Sequence, residues 1–563
     1  MKLHGRRNFL AAALLTPIAW QEGQANGIAA GRPIPTSVID IAAVAPAASV
    51  HANGRWVLFA TNETVDLNGD GDMADSVLQV HDLLTSATTN LGLAVVFEPI
   101  LAMGGRRALV KVNEFRQGET DLNGDGDVAD EVVHVVNLLT GGKLSSGMAS
   151  SGVPSGALIG DRAVFSAALD GFEDSQAVAW DLLSGEEPVP LGLSQTQPLQ
   201  VAEHHALILA SEPLMGMSLN SDADLEDDVL HVVDLEDPFL EVSNTHLAVA
   251  PIKGGLQVRG ARAAFLVDEA HDGGDRNGDG DAADYVLHVL DMDAGVLENL
   301  ALAATAVPFP PFTPNVEDHY FVMGEDGIAV DVVEQPGLDF NEDGDVLDSL
   351  LLWHEHLSAE RRVLGPQAWD FSVSGGYVAF HASEAAAGAD LDADGDAVDL
   401  VAMVHDLAAG STWNVGLATG EISTHPLQHD LPRPFEMAGP WLAFLAAESP
   451  LDHNGDGDVG DHVLFLADAS AHQTFGQGLA LQSLLALPER LVFSPGGTLS
   501  FLVHEGDQQA DLNGDGDLAD EVLHFVHPPS SLQLDAGVAT TRVFAGFRHR
   551  YPFGALSVAR LRF

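Results

Sequence analysis

From about residue 36 the chain repeats one pattern of polar and apolar positions, with acidic segments opening at residues 66, 121, 218, 275, 339, 390, 452 and 511. Each unit begins with a weak apolar stretch and a turn. A run such as WVLFATNE, RALVKVNE, RAAFLVDE or WLAFLAAE follows, and each run that leads into an acidic segment ends in Glu. A third run, such as EVVHVVN or YVLHVLD, leaves the acidic segment and ends in a D-L-x-[TS]-G-like turn. A fourth, such as TNLGLAV or WNVGLAT, closes the unit. The runs are short, rich in β-branched residues and bounded by Gly and Pro, so they predict strands.

The third run is apolar on both faces, with Val132, Val133, Val135 and Val136 in one copy. Strand side chains alternate between two faces, so both are predicted to be buried. Repeated units of four antiparallel strands predict an all-β fold: a β-propeller of about nine four-stranded blades, with the acidic loop between the second and third strands. One blade is degenerate. Arg162–Leu169 and Ala177–Gly185 match the flanking strands, but the loop between them is cut to DGFEDSQ. Two smaller propellers, a solenoid or a string of hairpin modules are the alternatives.

The N-terminus predicts export. Arg6 and Arg7 precede the apolar stretch Phe9–Trp20, and Gly23-Gln24-Ala25 offers a cleavage site. GRRNFLA resembles a twin-arginine signal. The expected division is an export signal at 1–25, a flexible lead at 26–35, propeller repeats at 36–540 and a basic β-hairpin at 541–563. The expected destination is periplasmic, cell-surface or extracellular. No later run reaches the ~18 apolar residues of a membrane helix, so no transmembrane span is expected after signal removal.

Composition sharpens the picture. Formal net charge is -59, from 83 Asp+Glu against 24 Lys+Arg, which excludes a nucleic-acid partner because phosphate binding needs a basic face. Of the 83 acids, 34 fall within the eight ten-residue loops. Eight divalent ions would cancel 16 of those charges; without them each loop crowds like charges together. With no cysteine there is neither a disulfide nor a thiolate site, and oxygen-only donors favour calcium.

The loops repeat D-x-N-G-D-G-D-x-x-D. Alternate side chains of such a loop can converge on one ion, and the final acid closes the site. The candidate metal ligands are Asp66, Asn68, Asp70, Asp72 and Asp75 in the first loop, and Asp121, Asn123, Asp125, Asp127 and Asp130 in the next. Looser copies offer Asn220, Asp222, Asp224 and Asp227, then Asp339, Asn341, Asp343, Asp345 and Asp348, then Asp390, Asp392, Asp394, Asp396 and Asp399. The remaining copies offer Asp275, Asn277, Asp279, Asp281 and Asp284; Asp452, Asn454, Asp456, Asp458 and Asp461; and Asp511, Asn513, Asp515, Asp517 and Asp520. Possible additional ligands are the run-ending Glu63, Glu114, Glu212, Glu269, Glu334, Glu384, Glu448 and Glu505. The degenerate unit, which lost its loop, has Leu169 in that place. Its absence there ties the glutamate to the ion site; the competing reading is a charge that protects a strand end.

In loop motif the chain resembles the calcium-loop propellers with FG-GAP repeats found in integrin α-subunits, and also EF-hand and dockerin loops. That resemblance implies about eight Ca2+ sites. The closing acid here stands at position 10, against 9 in FG-GAP and 12 in the EF-hand, and Val522 replaces the EF-hand's bidentate Glu.

His134, His231, His288 and His524 share one place, four past the last loop Asp, and are expected to pack mid-strand. No G-x-S-x-G, H-E-x-x-H, phosphate loop or dinucleotide fingerprint is present, so no catalytic residue is assigned. The longest irregular connectors, Ala303–His319 and Thr424–Pro434, are candidate ligand-contacting loops. The basic end carries Arg542, Arg548, Arg550, Arg560 and Arg562 and reads as a closing hairpin. The expected function is an exported calcium-binding β-propeller with structural ions and a protein or carbohydrate ligand. The alternative is a polysaccharide-acting hydrolase or lyase with a carboxylate site at the propeller channel.

Overall fold

The predicted runs form strands in the computed structural model. It describes residues 10–15, 37–41, 50–304, 320–421, 436–481, 491–528, 532–545 and 557–561, apart from 54, 83, 86, 97, 170–174, 223, 251, 253, 336, 347, 367, 449–450, 494–496 and 515. Val50–Asn53, Trp56–Asn62, Ser76–Asp82 and Ala87–Val95 form a four-stranded antiparallel sheet in sequence order. Ala368–Ser374, Tyr377–Ser383, Asp399–Asp406 and Ser411–Glu421 form another. Glu436–Ala438, Trp441–Ala447, His462–Asp468 and Gln473–Leu481 form a third of the same order. The same succession of four strands recurs along the described chain. The fold is all-β and of the β-propeller type, and its acidic loops join second strand to third.

The chain forms two compact units: Met1–Met215 with Val233–Ser243 and Val538–Phe563, and Gly216–Val232 with Asn244–Gly537. Within each, successive sheets pack face to face. In the first unit, Leu58, Leu78 and Val80 of one repeat pack on Ala108, Val110 and Val112 of the next. The opposite face of that second sheet, Leu109, Val133 and Val135, packs on Phe165, Val178 and Trp180. In the second unit, Leu445 and Leu464 pack on Leu499, Phe501 and Val526 in the same way. The double burial expected of the third strand is thus produced by a neighbour on each side; Val132 and Val133 are both 0% exposed.

The second strands stop one residue earlier than the sequence pattern suggests. Trp56–Asn62 ends before Glu63, whose backbone N–H still donates to the Asp75 carbonyl at 2.9 Å. Residues between that last rung and the loop have no partner strand. At Glu212–Met215, Glu269–Asp272, Glu384–Ala387 and Glu505–Gln508 the segment curls into an unpredicted four-residue helix, whereas the longer segment after Glu114 forms turns. Ser383 caps one of these, accepting from the Ala386 N–H.

At the ends, Leu10–Leu15, within the predicted export signal, pairs antiparallel with Ser37–Ile41 and with Ser557–Leu561. Leu532–Ala545 also pairs with Ser557–Leu561, so a terminal hairpin exists and its first strand starts before residue 541. The rest of the signal, the lead at 26–35, the connector residues 305–319 and 424–434, the shortened loop at 170–174 and the side chains of the terminal arginines lie outside the described residues. No helix among the described residues is long and apolar enough to cross a membrane.

Candidate metal centre

Each loop is held by its own acids. In the first, Asp66 accepts from the Gly69 N–H at 2.6 Å and from the Gly71 N–H at 3.1 Å. Asn68 Oδ1 then accepts from Asp70 N–H, Asp70 Oδ1 from Asp72 N–H and Asp72 Oδ1 from Ala74 N–H, at 3.2, 3.0 and 2.7 Å. Gly71 sits at φ +102°, where a Cβ would be strained, so this curl requires glycine. Asp121–Asp130 repeats every one of these bonds. Asp275, Asp390, Asp452 and Asp511 likewise reach positions 4 and 6 of their loops. The arrangement engages one oxygen of each position-5 acid with backbone, while in several loops the other accepts from the loop asparagine, as Asp70 Oδ2 does from Asn68 Nδ2 at 3.1 Å.

The glutamate before the loop completes the enclosure. All eight are buried, between 0% and 8% exposed. Glu63 Oε1 accepts from Leu67 N–H at 2.5 Å and Asn68 N–H at 3.1 Å. Glu114, Glu334, Glu384, Glu448 and Glu505 make the same pair of bonds to loop positions 2 and 3. Glu269 does so with Arg276 and Asn277. In four of them the second oxygen accepts from the closing Asp's N–H: Asp130 at 3.2 Å, Asp284 at 3.2 Å, Asp399 at 3.1 Å and Asp520 at 3.4 Å. In Glu63, Glu334 and Glu448 that oxygen is buried and has no hydrogen-bond partner among the described residues.

These oxygens converge. Glu63, Asp72 and Asp75 each bring one to within 4.8 Å of the others, as do Glu114, Asp127 and Asp130. Glu448, Asp456, Asp458 and Asp461 form a four-carboxylate version. The loop asparagine spans the same centre. Asn68 Nδ2 donates to Asp70 at 3.1 Å and Asp75 at 3.2 Å, and Asn220 Nδ2 to Asp222 at 3.1 Å and Asp227 at 2.7 Å. Asn341 does so with Asp343 and Asp348, and Asn123, Asn277, Asn454 and Asn513 reach their closing Asp. Asp515 lies outside the described residues. Asp339, at position 1 of its loop, holds Gly344 N–H. The backbone N–H groups of Asp345, Asp396 and Asp281 donate to Asp343, Asp394 and Asp279, and Asp224 and Asp517 accept from the N–H two residues further on.

The electrostatics follow. Burial first, and then Asp392 and Asp394, push Asp399 up to about 7. Burial, then Asp507 and Asp458, push Asp461 up to about 7. Asp75, Asp130 and Asp284 are raised chiefly by burial, whereas the backbone N–H of Asp72 pulls Asp70 below its ordinary range. A buried carboxylate group raised in this way is relieved either by a proton or by a cation.

Two supports were not read from the sequence. In the fourth strand Asn90, Asn244, Asn299 and Asn414 donate to the carbonyl of loop position 2, at 2.7, 2.8, 2.7 and 2.7 Å. Their Oδ1 accepts from the N–H two residues on, at a positive-φ bulge that includes Gly92 and Ala301. The recurring Asn in TNLGLAV, ENLALAA and WNVGLAT is the signal that carries it. The second support comes from the following repeat, whose turn after the glutamate reaches back. Arg116 Nη1 lies 3.1 Å from Asp75, Gln335 Nε2 lies 3.3 Å from Asp284, and the Asp507 carbonyl accepts from Asn454 at 3.3 Å.

The strand histidines are separate from this site. His134, His231, His288 and His524 are 6%, 4%, 2% and 4% exposed, and each shares a hydrogen bond between Nδ1 and the carbonyl two residues back. His288 also stacks on Phe265, with ring centroids 5.9 Å apart. They pack, as expected.

No family model matches this chain, and no curated protein matches it. Among solved structures it is similar to TolB from Acinetobacter baumannii, at 12% identity and a TM-score of 0.22 over 64% of this chain and 79% of that one. An uncharacterised protein from Listeria monocytogenes EGD-e matches at 10% identity and 0.31, over 67% and 90%. Dipeptidyl peptidase 4 from Porphyromonas gingivalis matches at 10% identity and 0.34, over 80% and 56%. Likeness at these scores carries no argument about ligand or activity.

Proposed function

We propose that this chain is an exported calcium-binding β-propeller, a binding or surface-interaction protein whose ions hold its long loops against the sheet. The observation that carries the reading is Glu448. One of its oxygens is engaged by two loop N–H groups, and the other is buried without a hydrogen-bond partner beside Asp456, Asp458 and Asp461. A buried carboxylate oxygen facing three more carboxylates is costly unless a cation joins them. The donor set fits a hard cation that takes six to eight oxygens, which is calcium's preference. At each loop the acids at positions 5, 7 and 10 and the preceding glutamate would hold the ion. The asparagine amide, turned over about its last bond, would present its oxygen in place of its nitrogen. The bound ion supplies positive charge and oxygen coordination; position 1 and the glutamate's first oxygen keep the loop backbone in shape. The paired arginines of the N-terminus support export, and a net charge of -59 favours a protein or carbohydrate ligand over nucleic acid.

Thermal unfolding with calcium raised from excess chelator to millimolar, with bound metal counted on the same sample, tests this reading. Free calcium at a hundred times Kd adds about 2.7 kcal/mol per occupied site. The expected result is a large rise in Tm with about eight ions bound at saturation. An unchanged Tm with no bound metal would overturn the reading.

A further inference from the structure

The loops differ in what the following repeat places against them. Two residues past each strand-end glutamate stand Arg116, His271, Ala386 and Asp507 in different repeats. Of these, Arg116 alone carries a permanent positive charge. Its Nη1 lies 3.1 Å from Asp75 Oδ1 and 3.2 Å from the Ala74 carbonyl, while its own carbonyl accepts from Asn68 Nδ2 at 2.9 Å. The turn that presents it is fixed at both ends. Arg116 N–H donates to Asn113 Oδ1 at 3.0 Å, and Gln117 bridges Ala94 N–H and the Gly92 carbonyl. Gly118, at φ +73°, comes so close that a Cβ there would meet the Cβ of Asp70 at 2.9 Å.

We propose that Arg116 is a tethered cation built into the Asp66–Asp75 loop, so that this loop takes calcium more weakly than the others and keeps its shape when calcium is removed. This rests on the reading of the loops as calcium sites. A guanidinium beside the closing carboxylate supplies charge and directed hydrogen bonds without coordination chemistry. It also repels a divalent ion placed a few ångströms away, an effect that water tempers on the side of Arg116, whose side chain is 43% exposed, but not on that of Asp75, at 5%. A single charge does not neutralise the whole cluster. Glu63 Oε2 remains buried without a hydrogen-bond partner, so the site is weakened and not abolished.

The test is calcium titration of the full chain by calorimetry in competition with a chelator. Wild type is compared with Arg116→Gln and with Arg259→Gln, a same-charge control whose arginine pairs with the exposed Glu325. Wild type is expected to show one step about tenfold weaker than the rest. Arg116→Gln should tighten that step about tenfold, and Arg259→Gln should leave it alone. Asp72→Asn, which leaves Arg116 in place, should remove only the weak step from wild type. If Arg116→Gln leaves every step unchanged, or weakens one, the tethered-cation proposal is overturned while the calcium reading stands. If wild type binds no calcium, both fall together.

Discussion

Glu448 divides its carboxylate between two tasks, and the division gives a sharp expectation. Glu448→Gln keeps an oxygen for His453 and Asn454 N–H but replaces the inward oxygen with an amide nitrogen. Calcium affinity at Asp452–Asp461 should fall roughly 10- to 100-fold, with little change in the Tm of the chelated protein; calorimetry and melting on the same samples check both. Asn414 acts differently, because it holds backbone: its loss strands the Leu391 carbonyl and the Gly416 N–H. Asn414→Ala should cost about 1–3 kcal/mol with or without calcium, measurable by urea unfolding. The glutamate was legible in the sequence because the loopless repeat has Leu169 in its place. Its geometry was not legible, because two residues separate Glu63 from Asp66 and six separate Glu114 from Asp121. The intervening turn absorbs that difference, and both carboxylates reach the same two N–H groups.

At the scale of the element, the third strand was the most readable part of the chain. Its apolar residues on both faces announced burial on both faces, and the packing supplies it. The four-residue helices were unreadable: they are too short for any periodicity and exist because residues beyond the last rung lack a partner. The same strands carry buried histidines. Burial lowers His288 from 6.5 to about 4. Between those values the unfolded chain takes up a proton that the folded strand refuses. The stability is therefore present above pH ~6.5 and is lost as pH falls toward 4, by roughly 1.4 kcal/mol per unit of that window. His288→Phe should flatten the fall in Tm between pH 6.5 and 4.5, measured in chelator so that ion release does not contribute.

Across the whole molecule, a net charge of -59 opposes folding wherever cations are withheld. In chelator, raising sodium chloride from about 10 to 300 mM should raise Tm by screening that repulsion. With calcium bound, the same change should move Tm much less. The loopless repeat shows what stands in for an acidic loop. Ser175 donates to Ser151 at 2.8 Å, Ser155 and Ser166 share a 2.5 Å hydrogen bond, and Gln195 joins Ser166, all buried and uncharged. The repeat, its strands and its loops were legible because the chain states them many times over. The contacts that join one repeat to the next were not, because they depend on single residues such as Arg116 that occur once. Those contacts also set an order in time. A ribosome makes Asp66–Asp75 before it makes Arg116, and Asp452–Asp461 before the turn at Asp507. These loops therefore wait about one repeat of synthesis for their final neighbour, and as each is made the growing end of the nascent chain carries an acidic loop that the next repeat has yet to meet.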